Sequence, residues 1–235
     1  MRILSEYFSD HLLELRNRVL ISVITIAVFS GLSYLFSTEI TRFLMGPLFQ
    51  ARPDIVKLVY TNLTEAFVSY IKVAIIAGII FSFPILCYEA WMYVAPGLHD
   101  NEKKIAFKVV SWATLLFVSG ILFSYFVVMP QALAFLMDTR GYDIQALPKL
   151  DAYLTFVARS SLAFGLAFEI PFLMVVAGKT GLVDKAGFTR KRWYYYAAIL
   201  VLAFLLTAGD VFSAVLLAFP LFGLYEAGVV ATRLF

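Results

Sequence analysis

The amino-acid sequence predicts an all-α polytopic membrane protein of six transmembrane helices with both termini in the cytoplasm. It predicts two short C-terminal spans and a concave bundle closed by structured outer loops. Three observations lead there. Of 235 residues, 62% are hydrophobic and only 15% charged, and the mean hydropathy of +0.86 lies outside the range of soluble globular domains. The apolar residues gather into six long runs with their charges at the ends. The Lys and Arg residues between those runs are unevenly shared.

A span needs roughly 20 apolar residues to cross about 30 Å of hydrocarbon. The runs predict spans over about 19–36, 66–94, 105–137, 152–178, 194–206 and 211–230, within a single membrane domain covering 1–235. The fifth would cover only about 20 Å at 1.5 Å per residue. It crosses if the bilayer thins or its flanks snorkel, and a re-entrant hairpin is the competing reading. Residues 1–18 read as an interfacial helix with Leu4, Phe8, Leu12, Leu15 and Val19 on one face. Glu6, Asp10 and Glu14 among its arginines make it unlike a cleaved secretory signal, so it is expected to be retained.

Orientation follows from the basic residues. One set of connections holds Arg2, Arg16, Arg18, Lys103, Lys104, Lys108, Lys179, Lys185, Arg190, Lys191, Arg192 and Arg233, and the opposite set only Arg42, Arg52, Lys57, Arg140 and Lys149. The positive-inside rule places the first set in the cytoplasm. In the outer loops, Ile40, Phe43, Leu44 and Leu48 repeat at near-helical spacing, whereas Val56, Leu58 and Tyr60 alternate like a short strand. Asn62 with Glu65 forms a capping box for the second span. Pro84, Pro130 and Pro171 fall inside spans, where they bend helices and free carbonyls.

Among residues able to carry chemistry, Glu169 stands out, deep in an uncharged run and about 14 Å of helix from Gly178. A carboxyl at that depth is costly when ionised, so a functional role is expected, with a helix-packing hydrogen bond as the plainer reading. Lys72, Arg159 and Glu89 lie within about two turns of span ends and are expected to snorkel. Glu14 and Arg18 form an i,i+4 pair that, taken alone, reads as a solvated face.

Cys87 is a lone cysteine, expected to be a small core residue. His11 and His99 have no ligand partners at metal spacing, so neither metal nor cofactor is expected. Zinc-helix, nucleophile-elbow and phosphate-loop motifs are absent, which argues against an enzyme. The net charge of +3 gives no reason to expect nucleic acid as a partner.

Several separated features together resemble the TatC family, the receptor subunit of the twin-arginine protein translocase. They are His11-Leu12-Leu13-Glu14-Leu15-Arg16-Asn17-Arg18, Pro47, Phe83-Pro84, and Trp91 through Leu98 with Glu102; then Phe164-Gly165 through Phe168-Glu169-Ile170-Pro171, and Thr207 with Asp210. The resemblance covers essentially the whole chain. It departs in the last outer turn, where Ala208 and Gly209 stand in place of the family's usual prolines, and at Tyr93, where phenylalanine is common.

The resemblance implies a receptor that binds the Arg-Arg signal peptide of folded precursors, with Glu14 and Glu102 as the acidic pair and Arg16 and Tyr93 beside them. It implies that Glu169, with Phe164 and Phe168, faces an intramembrane groove that receives the single helix of TatA or TatB. Pro47 and Asp210 become functional candidates in the outer loops. The implied setting is the inner membrane, within a homo-oligomeric complex in contact with lipid and driven by the proton gradient. The alternative from another class is a proton-coupled small-solute transporter titrating Glu169.

Overall fold

The computed structural model describes residues 2–51, 58–60, 62, 64–94, 103–137, 148–179, 185–206 and 211–234. It is helical nearly throughout, in the order α1 (Arg2–Leu35), α2 (Ser37–Leu44), α3 (Gly46–Ala51), α4 (Glu65–Val94), α5 (Lys103–Phe123), a π-helical turn (Ser124–Val128), α6 (Met129–Leu136), α7 (Leu150–Lys179), α8 (Lys185–Arg190), α9 (Arg192–Leu206) and α10 (Val211–Leu234). Among the described residues five apolar stretches are long enough to cross a membrane, namely His11–Leu35, Glu65–Tyr93, Phe107–Phe135, Leu150–Gly178 and Leu217–Leu234. The 15 residues of α9 measure about 22 Å.

The chain divides into two compact units. The first comprises Met1–Ile40 and Tyr70–Leu115. In it α1 runs without a break, and the hydroxyl of Thr25 donates to the Ile21 carbonyl at 2.8 Å, which satisfies a polar group along an apolar helix. Small residues let α1 and α4 touch at backbone distance. A Cβ at Gly78 would fall 2.6 Å from both Cα and N of Ser30, the close approach by which membrane helices gain dispersion energy without a hydrophobic driving force.

The second unit comprises Thr41–Ser69 and Leu116–Phe235. Its core joins Phe164, Ala167 and Met174 of α7 with Phe188 of α8, Ile199 and Ala203 of α9, and Ala214, Leu217, Leu221, Tyr225 and Val229 of α10. The Tyr225 hydroxyl donates to the Phe188 carbonyl at 2.6 Å. Pro130 explains the π-helical turn ahead of it. A proline ring collides with the carbonyl four residues back and leaves it without a donor, and a wider turn over 124–128 gives the ring room.

The near-helical spacing over 38–49 becomes α2 and α3. The carbonyl end of α2 is held by two tyrosines, for Tyr125 donates to the Phe43 carbonyl at 2.6 Å and Tyr153 to the Leu44 carbonyl at 2.7 Å. Tyr153→Phe leaves the Leu44 carbonyl without that donor, at a cost of about 1.5 kcal/mol; thermal unfolding is expected to show a melting temperature lower by about 4 °C.

The strand expected around Val56, Leu58 and Tyr60 is not formed among the described residues, and Val56 lies outside them. Val59 instead makes an isolated parallel bridge with Lys149, its N–H donating to Pro148 at 3.2 Å and its carbonyl accepting from Leu150 at 2.9 Å. In the expected capping box, the Asn62 N–H donates to Glu65 Oε2 at 3.3 Å.

Candidate functional site

As α1 passes from His11 through Arg18 to Ser30, its partners on α4 fall from Tyr93 through Glu89 to Gly78, the register of an antiparallel pair. His11, Glu14 and Arg18 share one stripe of α1, at spacings of three and four residues, and Glu89 and Tyr93 share one of α4. The stripes meet at this end of the pair. The His11 and Tyr93 rings stack with centroids 4.7 Å apart and planes 16° from parallel. About two turns further along α1 and one along α4, the Arg18 guanidinium bridges two carboxylates. Its Nε and Nη2 donate to Glu14 Oε1 at 3.1 and 2.7 Å, and its Nη1 donates to Glu89 Oε2 at 3.0 Å.

The side chain of Glu14 is 35% exposed, that of Arg18 20% and that of Glu89 12%. Glu89, expected to snorkel, has a charge partner in Arg18 at the helix contact. Arg16 is exposed and sits two residues from Glu14, on another side of α1, since i,i+2 positions do not face each other. Glu102 lies outside the described residues.

The second group lies on α7. Glu169 is 7% exposed, and its Oε1 has no hydrogen-bond partner among the described residues. Reciprocal glycines set its surroundings. A Cβ at Gly120 would strike the carbonyl of Phe164, whose carbon would stand at 2.9 Å, and one at Gly165 would sit 2.7 Å from the Phe117 ring. These two notches press the second half of α5 onto α7, one turn from Glu169. Phe164 is completely buried and Phe168 half-buried, both tilted against Phe123 with centroids at 6.0 and 5.5 Å.

Pro47 is buried in α3, while Asp210 and Thr207 lie outside the described residues. Among the described residues no three of His, Cys, Asp and Glu gather as a metal site would require. Arg18, Glu89 and His11 are the members of the first group that sequence reading did not place in a site. Their signal was the two matched stripes, visible only once α1 and α4 are set in register.

The model of the family described as "Sec-independent protein translocase protein (TatC)" matches residues 10–220. The Sec-independent protein translocase protein TatC of Desulforapulum autotrophicum is 36% identical over 97% of this chain and 84% of its own length. That of Magnetococcus marinus is 38% identical over 94% and 81%, and that of Escherichia coli K12 33% over 96% and 87%. A crystal structure of the twin arginine translocase receptor TatC superposes with a TM-score of 0.87 at 33% identity, covering 95% of this chain and 98% of its own.

Proposed function

This chain belongs to the TatC family of Sec-independent protein translocase proteins, and from that membership we propose that it reads the Arg-Arg pair of a precursor's signal peptide with the carboxylates of Glu14 and Glu102. As a family member it is a membrane protein, a core component of the twin-arginine translocase that works with other Tat subunits, and a transport subunit rather than an enzyme. Membership displaces the solute-transporter alternative.

The observation that carries the reading is that Glu14 already holds a guanidinium, Arg18's, at hydrogen-bond distance from two of its nitrogens. Guanidinium groups engage carboxylates with two parallel hydrogen bonds, whereas lysine keeps the charge and loses the fork. Arg16 adds exposed positive charge on a neighbouring face of α1, and Tyr93 supplies a ring near the approach. A signal peptide carrying Arg-Arg is expected to bind the purified protein at least tenfold more tightly than its Lys-Lys counterpart. Glu14→Ala and Glu102→Ala are each expected to remove that preference, as a fluorescence titration would report. Equal affinity for both peptides in all three proteins would overturn the assignment.

The rest of the reading follows the family. The signal peptide enters from the cytoplasmic side of the inner membrane, where both termini lie. Glu169 and Phe168 line an intramembrane groove, Phe164 supporting them from beneath, and the groove receives the helix of TatA or TatB. A hydrogen bond to Glu169 contributes on the order of 1 kcal/mol, enough to orient that helix rather than to hold it. Pro47 and Asp210 shape the outer face. Several copies assemble, and the proton gradient supplies the energy.

A further inference from the structure

We infer that Arg18 is a resident counter-ion that occupies the arginine-reading carboxylate of Glu14 until a signal peptide arrives, and that Glu89 is the carboxylate that keeps Arg18 when Glu14 changes hands. This rests on the proposed role of Glu14 and adds two positioning residues to it. A guanidinium already sits where the ligand's guanidinium must go, so binding is an exchange and not an addition.

The geometry says which way the exchange runs. Both hydrogen bonds from Arg18 to Glu14 land on one oxygen, Oε1, so Arg18 does not make the fork in which each nitrogen takes its own oxygen. An incoming arginine that spans both oxygens makes the stronger pair. Exposure points the same way, because the Glu14 side chain is 35% exposed and that of Glu89 12%. The contact open to solvent is the one a ligand can contest, and the sheltered contact to Glu89 at 3.0 Å remains.

Charge closes the argument. Two carboxylates and one guanidinium carry a net charge of −1, so one further guanidinium neutralises the set. Without Glu89, Arg18 released from Glu14 would stay at the helix contact with no carboxylate partner among the described residues, and it would compete harder for Glu14.

The test is peptide affinity measured on the full-length protein in detergent for Arg18→Gln, Arg18→Lys, Glu89→Gln, Glu14→Gln and the double variant Arg18→Gln/Glu89→Gln. Arg18→Gln is expected to tighten Arg-Arg peptide binding roughly two- to fivefold, the scale of one part-exposed ion pair. Arg18→Lys, whose compact ammonium cannot bridge both acids, should tighten it by a smaller factor, and it carries the test if the glutamine variant does not fold. Glu89→Gln is expected to weaken binding by a similar factor when Arg18 is present and to have no effect when Arg18 is glutamine. A purely structural role for the triad would weaken binding in every variant.

Unchanged or weaker binding by both Arg18 variants overturns the inference. So does an equal loss from Glu89→Gln in both backgrounds, which would mean that Glu89 touches the ligand itself. If Glu14→Gln changes nothing, the proposed role of Glu14 fails first; if it weakens binding while the Arg18 variants do not tighten it, only the exchange fails.

Discussion

Gly120→Val is expected to lower the melting temperature of the purified protein by roughly 6 to 12 °C. The first carbon of any side chain there runs into the carbonyl of Phe164, with the Phe164 carbonyl carbon and the Phe168 ring both at 2.9 Å. A backbone carbonyl cannot rotate aside as a side chain can, so α5 must move off α7. Overpacking of this kind costs about 3 kcal/mol, and about 2 to 4 °C accompanies each kcal/mol in a chain of this length.

The comparison that makes the experiment decisive lies in the same fold. Cβ atoms at Gly31 and Gly223 meet nothing within 4 Å. Gly31→Ala and Gly223→Ala are therefore expected to leave the melting temperature unchanged or raise it slightly, since alanine is the better helix former by about 0.5 to 1 kcal/mol. Equal effects at all three positions would show that α5 and α7 do not meet at Gly120 as described.

Glu169→Leu is expected to move stability and function in opposite directions. Glu169 is nearly buried, and its Oε1 lacks a hydrogen-bond partner among the described residues. An unsatisfied buried polar group costs about 1 to 3 kcal/mol, and leucine of similar size removes it. The isolated protein is thus expected to melt roughly 3 to 8 °C higher. Export of a folded reporter with an Arg-Arg signal peptide is expected to stop in cells that depend on this variant, because it lacks the group proposed to hydrogen-bond a partner helix. A lower melting temperature would mean that Glu169 serves the fold, and unimpaired export would remove it from the translocation machinery.

The long helices were legible because hydropathy alone decides where a chain can cross a bilayer, and Glu169 was legible because a charge in such a run has no cheap explanation. Contacts between helices were not. The sequence marks Gly78, Gly120 and Gly165 as permissive, yet which neighbour each one admits depends on how two helices are set against each other. Glu89 shows the same limit. Its distance from the end of α4 suggested snorkelling, and only the register with α1 brings Arg18 to it. Phe164 and Phe168 recur at i,i+4, a spacing shared by a core face and a groove wall, and the packing separates them by burying the first completely. The π-helical turn before Pro130 is a local answer to a ring clash and leaves no pattern in hydropathy. Glu14 and Glu102 were picked out by family resemblance, since carboxylates near lysines and arginines are common on any solvated helix.

The pairing of α1 with α4 joins two contacts of opposite temperament. Around Gly78 the helices are held by dispersion between backbones, which dissolved ions do not touch. About 18 Å away, twelve residues along α1, they are held by the Arg18 bridge, which mobile ions weaken. Raising the ionic strength, or crowding the surface with anionic headgroups, is expected to weaken the Arg18 bridge and to leave the contact at Gly78 as it is. That bridge includes Glu14, so if Glu14 reads arginine as proposed, the ease with which it exchanges Arg18 for another arginine is expected to depend on the electrolyte and lipid around it, with no movement required deeper in the helix pair.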